Sequence, residues 1–117
     1  MATNYGRGAE FERKVARDLE RYGYVTVRSA GSHSPTDVVA MHYGTIACVQ
    51  CKLNGRLDPD EWNELWEFCL AAGATPVMAE PRKEGRKSGI IYRRLTSRKD
   101  GMGRQPWAYW TPQIEGY

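Results

Sequence analysis

Two strand-like runs joined by a short turn constrain this chain more than anything else in it. Thr36 to Met41 and Ile46 to Leu53 are rich in β-branched and apolar residues, and His42-Tyr43-Gly44-Thr45 between them reads as a hairpin turn. The second run opens Ile46-Ala47-Cys48-Val49, apolar throughout, which predicts burial on both faces in mid-sheet. Side chains alternate faces along a strand, so Gln50 and Lys52 point the same way. If the two runs pair, Asp37, near the start of the first, reaches that pair. A carboxylate, an amide oxygen and an ammonium then converge on one point, suited to holding a divalent metal and a phosphate.

The rest of the chain supplies the partners for that sheet. Phe11, Val15, Leu19 and Tyr22 recur at helical spacing, predicting a helix over 8–22 that Gly23 ends. Glu12 lies at the edge of this apolar stripe, where a surface ion pair with Arg13 or Arg17 is its plainest role. Tyr24 to Arg28 reads as a strand and Ser29 to Pro35 as a loop. Asp58 has the character of an N-cap, with Pro59 at the first helical position and Glu61 three residues on. That second helix runs to about Ala72 with Trp62, Leu65, Trp66 and Cys69 inward, and Gly73 stops it. Thr75 to Glu80 and Gly89 to Leu95 read as strands. Trp107 to Trp110 reads as a final short strand or extended tail, and residues 82–88 and 98–105 as basic loops. The order α-β-β-β-α-β-β predicts an α+β (mixed α/β) domain, with helices on a central sheet of about five strands.

A chain of 117 residues makes one domain, 1–117. No apolar run is long enough to span a bilayer, and Met1 to Arg7 does not read as a secretory signal. A cytoplasmic protein is expected, in a prokaryotic cell or a virus-infected host. The three cysteines are then reduced thiols, mostly buried; the alternative is a zinc or redox role for Cys48-x-x-Cys51. Net charge is only +3, but its distribution is uneven. Arg82 to Arg104 holds nine Lys or Arg against Glu84 and Asp100, whereas Asp58 to Gly73 holds five acids and no base. The basic segment suggests a polyanion partner, and the acids suggest a helix turned away from it.

The chemistry that fits is phosphodiester hydrolysis. A divalent cation can both activate water and neutralise the transferring phosphoryl group. Mg²⁺ takes hard oxygen ligands and keeps several waters. Asp37 and Glu12 offer carboxylates, Gln50 its side-chain oxygen and Cys51 its backbone carbonyl. Lys52 could orient the water or stabilise developing charge as a compact cation.

Several motifs in order carry a resemblance. Arg7-Gly8-Ala9-Glu10-Phe11-Glu12-Arg13, Val27-Arg28-Ser29-Ala30-Gly31-Ser32, Asp37-Val38-Val39-Ala40 and Cys48-Val49-Gln50-Cys51-Lys52 closely resemble the archaeal-type Holliday junction resolvases. So does the helix-to-strand segment from Leu65 through Val77-Met78-Ala79. These enzymes belong to the PD-(D/E)xK, restriction-endonuclease-like nucleases. The match covers roughly residues 6–80, and residues 81–117 match loosely.

The resemblance implies a restriction-endonuclease-like fold and a Mg²⁺-dependent endonuclease, Mn²⁺ substituting, that resolves four-way DNA junctions by paired symmetric cuts. It places the helix-borne acid on Glu12, the metal-binding aspartate on Asp37 and the catalytic lysine on Lys52. The family's second strand acid falls on Gln50, which keeps an oxygen ligand but loses a negative charge. With the basic segments, the DNA contacts become Arg13, Arg28, Ser29, Ser32, Arg56, Arg82, Lys83, Arg86 and Lys87. A two-fold junction implies a homodimer, with the second helix and Trp107 to Trp110 as candidate interfaces. No membrane and no small-molecule cofactor are expected. Two alternatives stay open: a nuclease of other branched or duplex DNA, and a non-catalytic branched-DNA-binding protein, to which Gln50 points.

Overall fold

The structure is a computed structural model that describes residues 4–29, 34–84, 87–100 and 105–114; of Asn4, Tyr5, Glu84, Lys87 and Ser88 it describes the backbone alone. Helix α1 (Asn4–Arg21) leads into β1 (Val25–Arg28), β2 (Val38–His42) and β3 (Thr45–Cys51). Helix α2 (Pro59–Ala72) then crosses to β4 (Thr75–Glu84), β5 (Lys87–Leu95) and β6 (Trp107–Tyr109). The six strands form one sheet in sequence order. Every neighbouring pair is antiparallel except β3 and β4, which run parallel because a helix connects them. Among the described residues no helix is long and apolar enough to cross a membrane.

The turn between β2 and β3 is tight. Tyr43 and Gly44 both have positive φ, +42° and +82°, the backbone of a type I′ turn whose twist matches the flanking strands. This turn fixes the register Val38↔Val49 through His42↔Thr45. Just before that register begins, the Asp37 N–H bonds Val49 O rather than the carbonyl of Gln50, so the regular pairing ends at Val38. The parallel register Gln50↔Met78 then fixes the far side of β3.

Alternation along β3 splits the core in two. Ala47 and Val49 face α1, where Phe11, Val15, Ala16 and Leu19 bury their side chains with Val38 and Val77. Cys48 faces α2 and packs with Leu57, Trp62, Leu65, Cys69 and Met78. Leu19, Val15, Val49 and Leu65 are fully buried, so truncating any to Ala should cost about 2–5 kcal/mol for the larger side chains. Cys48 and Cys51, three apart in a strand, lie on opposite faces. Cys48 instead shares a thiol–thiol hydrogen bond with Cys69, which holds Cys48 below and Cys69 above the usual thiol range. The Cys-x-x-Cys pair is therefore not a chelating pair.

Helix α2 starts as expected. The Asp58 carboxylate accepts from the Glu61 N–H at 2.8 Å, Glu61 Oε1 accepts from the Asp58 N–H at 3.2 Å, and Pro59 follows the cap. Gly73 ends the helix at φ +66°.

One expectation changes. Residues 82–84 and 87–88, expected in a loop, belong to strands. β4 and β5 run on past the core as a hairpin arm, pairing Arg82↔Gly89, Lys83↔Ser88 and Glu84↔Lys87. A ladder exposed on both faces needs no apolar side chains, so charge patterning alone does not reveal it. Of the two readings open for the C-terminal stretch the short strand holds: Trp107 to Tyr109 is the sixth strand, and Trp110 and Ile114 beyond it pack on the α1-side core. Arg93, ion-paired with Glu80 at 2.7 Å, lies 4.6 Å over the Trp107 ring and ties β6 down.

Candidate active site

The site forms at the end of β3, where the two sides of the sheet meet. Backbone bonds deliver Asp37 there. Its N–H donates to Val49 O at 2.9 Å, one residue out of the β2–β3 register, and its carbonyl accepts from Ser29 N–H at 3.0 Å, in register with β1. Thr36, 2% exposed, braces this entry by donating its hydroxyl to the carbonyls of Val38 and Val49. The Asp37 carboxylate turns toward β3, where Oδ2 accepts from the Cys51 N–H at 2.9 Å.

Charges gather around that carboxylate. Burial pushes the Asp37 pKa up; the Cys51 N–H, Lys52 and Arg28 pull it down, and Glu61 pushes it up. Burial also raises the pKa of Glu12 on α1, the nearby Asp37 carboxylate adds to the rise, and Arg28 and Arg13 oppose it. Two acids that repel each other in a partly desolvated place are a standing demand for a cation. The Cys51 thiol is pushed well up by burial and by both carboxylates, so it stays a neutral thiol, and this residue offers its backbone rather than its sulfur.

Gln50 supplies the sharpest feature. Its Oε1 is buried and accepts no hydrogen bond from the protein. Such an orphan costs roughly 1–3 kcal/mol unless something fills it. A hard cation shared with Asp37 would do so. The donor set is all oxygen, as Mg²⁺ and Mn²⁺ prefer. Among the described residues no three His, Cys, Asp or Glu cluster as metal ligands.

Lys52, two residues on and on the same face as Gln50, makes an ion pair with Glu61 Oε2. Glu61 thus divides its two oxygens between the α2 cap and the lysine of the site. The sequence shows Glu61 as a capping residue on an acidic face, and that helix is expected to point away from DNA. Instead the first turn of α2 borders the site. The capping spacing is visible in sequence; that the second oxygen meets Lys52 depends on the β3–α2 crossover.

The expected DNA contacts separate into groups. Arg28 and Arg13 stand at the carboxylates. The Ser29 hydroxyl donates to Thr36 O at 2.9 Å and so braces the loop. Arg56 lines a cleft that also contains Lys52. Arg82 lines a different cavity, with Asp18 and Tyr22, and Lys83 is exposed on the hairpin arm. Ser32 and Arg86 lie outside the described residues, and Lys87 is described by its backbone alone. Arg98, in the second basic segment, is paired with Glu67 and with Asp100.

A mixed sheet that brings Asp37, Gln50 and Lys52 to one strand end, with Glu12 approaching from a helix, defines a restriction-endonuclease-like domain of the PD-(D/E)xK kind. The model of the archaeal Holliday junction resolvase (hjc) family matches residues 3–101, and the chain belongs to that family. Crossover junction endodeoxyribonuclease Hjc of Methanocaldococcus jannaschii is 30% identical over 83 residues, covering 68% of this chain and 62% of the relative. The chain therefore aligns with less than two thirds of that relative's length. Hjc of Archaeoglobus fulgidus, a Holliday junction resolvase from an archaeal hyperthermophile, has a similar solved structure. Its TM-score is 0.61 at 27% identity, covering 74% of this chain and 70% of that one.

Proposed function

We propose that this protein is a metal-dependent DNA endonuclease that resolves four-way junctions by paired phosphodiester hydrolysis. The observation that carries the reading is the orphaned, buried Gln50 Oε1 on the residue beside Cys51, whose N–H holds Asp37. Mg²⁺, or Mn²⁺ in its place, would be held by Asp37, Gln50, Glu12 and the Cys51 carbonyl. When bound, such an ion supplies charge neutralisation at the phosphoryl group and activation of the attacking water. The chain's own residues do the rest. Lys52 places a compact positive charge where negative charge develops, and Glu61 fixes where that charge sits. Arg28 and Arg13 bind backbone phosphates beside the carboxylates without reading sequence.

Two matched cuts in a two-fold substrate call for two sites, supplied by a homodimer. The outer face of α2 supports an interface there, with Phe68 41% and Leu70 66% exposed. The protein acts in the cytoplasm in this reading.

A second reading is a branched-DNA-binding protein without activity, favoured by the charge that Gln50 lacks. A third is a nuclease of other branched or plain duplex DNA. One assay separates the three. Four-way junctions should be nicked in Mg²⁺, spared in EDTA, and cut faster than linear duplex. Asp37→Asn should bind junctions and leave them intact; activity equal to wild type would sink the proposal.

A further inference from the structure

The two helices cover opposite faces of the sheet with opposite charge. Helix α2 carries Asp60, Glu61, Glu64 and Glu67 and no Lys or Arg, whereas α1 carries Arg7, Arg13, Lys14, Arg17 and Arg21. At about 100° per residue, Arg7, Lys14, Arg17 and Arg21 fall within an arc of about 80°. A spacing of seven, as from Arg7 to Lys14 to Arg21, drifts only about 20° per step, so the stripe keeps to one face along the helix. The other face is buried on the sheet through Phe11, Val15, Ala16 and Leu19. The stripe therefore faces water: Arg7, Arg17 and Arg21 are exposed and Lys14 is half-buried.

The acids of α1 do not neutralise that stripe. Glu12 stands near Asp37 at the candidate site, with Arg13 beside it. The Asp18 carboxylate accepts from the Tyr92 hydroxyl at 2.7 Å, and Glu20 Oε1 accepts from the Thr26 hydroxyl at 3.2 Å. Glu10 alone shares the stripe, one acid against four cations. Among the described residues none of Arg7, Lys14, Arg17 and Arg21 forms an ion pair. The direction of the stripe follows from the fold. Glu12 sets the middle of α1 at the site, and the helix ends before β1, whose first residue, Val25, pairs with Met41 beside the β2–β3 turn. Lys14, Arg17 and Arg21 thus lead away from the carboxylates, over about 14 Å from Glu12 to Arg21 at 1.5 Å per residue.

We propose that the outer face of α1, through Lys14, Arg17 and Arg21, binds the phosphate backbone of a duplex arm of the junction, away from the bond that is cut. The inference rests on the DNA-binding part of the function proposed above. Charge decides the occupant. From Arg7 to Arg21 the stripe runs about 21 Å, the length of about six base-pair steps of a rod bearing one negative charge per ~1.7 Å. It holds no apolar side chain that would anchor a protein partner. Phosphate contacts of this kind hold and orient the arm without reading its sequence.

The test is junction binding by the full chain in EDTA, read by fluorescence anisotropy across a salt series. The double variant Lys14→Ala, Arg17→Ala should weaken binding roughly 5- to 20-fold at low salt and lower the magnitude of the log–log salt slope by about 2. Both side chains lie on the outer face and alanine is a strong helix former, so the variant should fold as wild type does. Lys14→Arg with Arg17→Lys should keep both affinity and slope. A block of neutral methylphosphonates, moved outward along one arm from the branch point, should find a position that weakens wild type and adds nothing to the double alanine variant. In Mg²⁺ that variant should raise the half-saturating concentration and keep the single-turnover rate at saturation within about threefold. A folded double variant with unchanged affinity and slope overturns the proposal, and is the result expected if the face serves an acidic protein instead. Strictly additive losses at every methylphosphonate position overturn it as well. Because binding is read without metal, wild type that binds but never cuts would overturn the nuclease reading and leave this test intact.

Discussion

The Lys52 ammonium, just past the end of β3, is ion-paired with the Glu61 carboxylate in the first turn of α2. Both side chains are partly sheltered from water, at 25% and 33% exposure, so the pair is screened less than one on an open surface. The same Glu61 closes the capping box with Asp58. The start of the crossover helix and the lysine of the site are thereby mechanically joined.

Glu61→Gln tests that joint. Glutamine serves a capping box as well as glutamate does, so the helix start should survive, with a stability change under about 1 kcal/mol. Lys52 loses its anchor. Single-turnover junction cleavage should fall roughly 10- to 100-fold, the range for a misplaced catalytic group. Adding Glu61→Gln to Lys52→Ala should cost little more, because the two act as one unit.

Gln50→Glu should tighten metal binding. It restores a negative charge at a position whose amide oxygen is already buried and without a hydrogen bond from the protein. Roughly tenfold higher Mg²⁺ affinity, or about 1.4 kcal/mol, is expected, read from the rise of the thermal midpoint with metal concentration. In EDTA the variant should be less stable than wild type, since a third acid joins the mutual repulsion of Glu12 and Asp37.

Gly55 is a stability prediction outside the chemistry. It has φ +69°, and a Cβ there would run into Glu80 Oε2, so Gly55→Ala meets both backbone strain and a collision. The Glu80 carboxylate cannot retreat freely, because it pairs with Arg93. A loss of about 1–3 kcal/mol in urea denaturation is expected. Gly44→Ala, at φ +82° but with open space at the Cβ position, should lose less.

Local chemistry made much of this legible in sequence. The cap at Asp58, the stop at Gly73, the Tyr43-Gly44 turn and the inward faces of both helices each depend on residues within a few positions of one another. The turn fixes the β2–β3 register as far as Val38, and so brings Asp37 to the end of β3. What stayed hidden depends on long-range placement. Glu61 meets Lys52 because α2 begins over the end of β3, and Asn63 of α2 bonds the backbone of Lys99, 36 residues away in sequence. The hairpin arm was hidden for another reason: with both faces in water, its charged residues carry no period-two apolar pattern.

The carboxylates predict an inverted pH response in the metal-free protein. Asp37 and Glu12 both have folded-state pKa values raised above the usual carboxylate range, chiefly by burial. The folded state therefore holds protons that the unfolded chain has already released. Their contribution is fully present below the unfolded pKa, near 4, and is lost as pH rises through the folded values. Asp37→Asn keeps an oxygen to accept from the Cys51 N–H but carries no charge to desolvate. In EDTA its thermal midpoint should match wild type near pH 4 and exceed it by pH 7. The gap should stay within about 1 kcal/mol, since Asp37 is partly solvated and its charge partly screened. Saturating Mg²⁺ should reverse the order, because a bound cation stabilises the ionised pair in wild type and finds a poorer site in the variant. A midpoint difference that is the same in EDTA at pH 4 and pH 7 would mean that burial places no strain on the Asp37 charge.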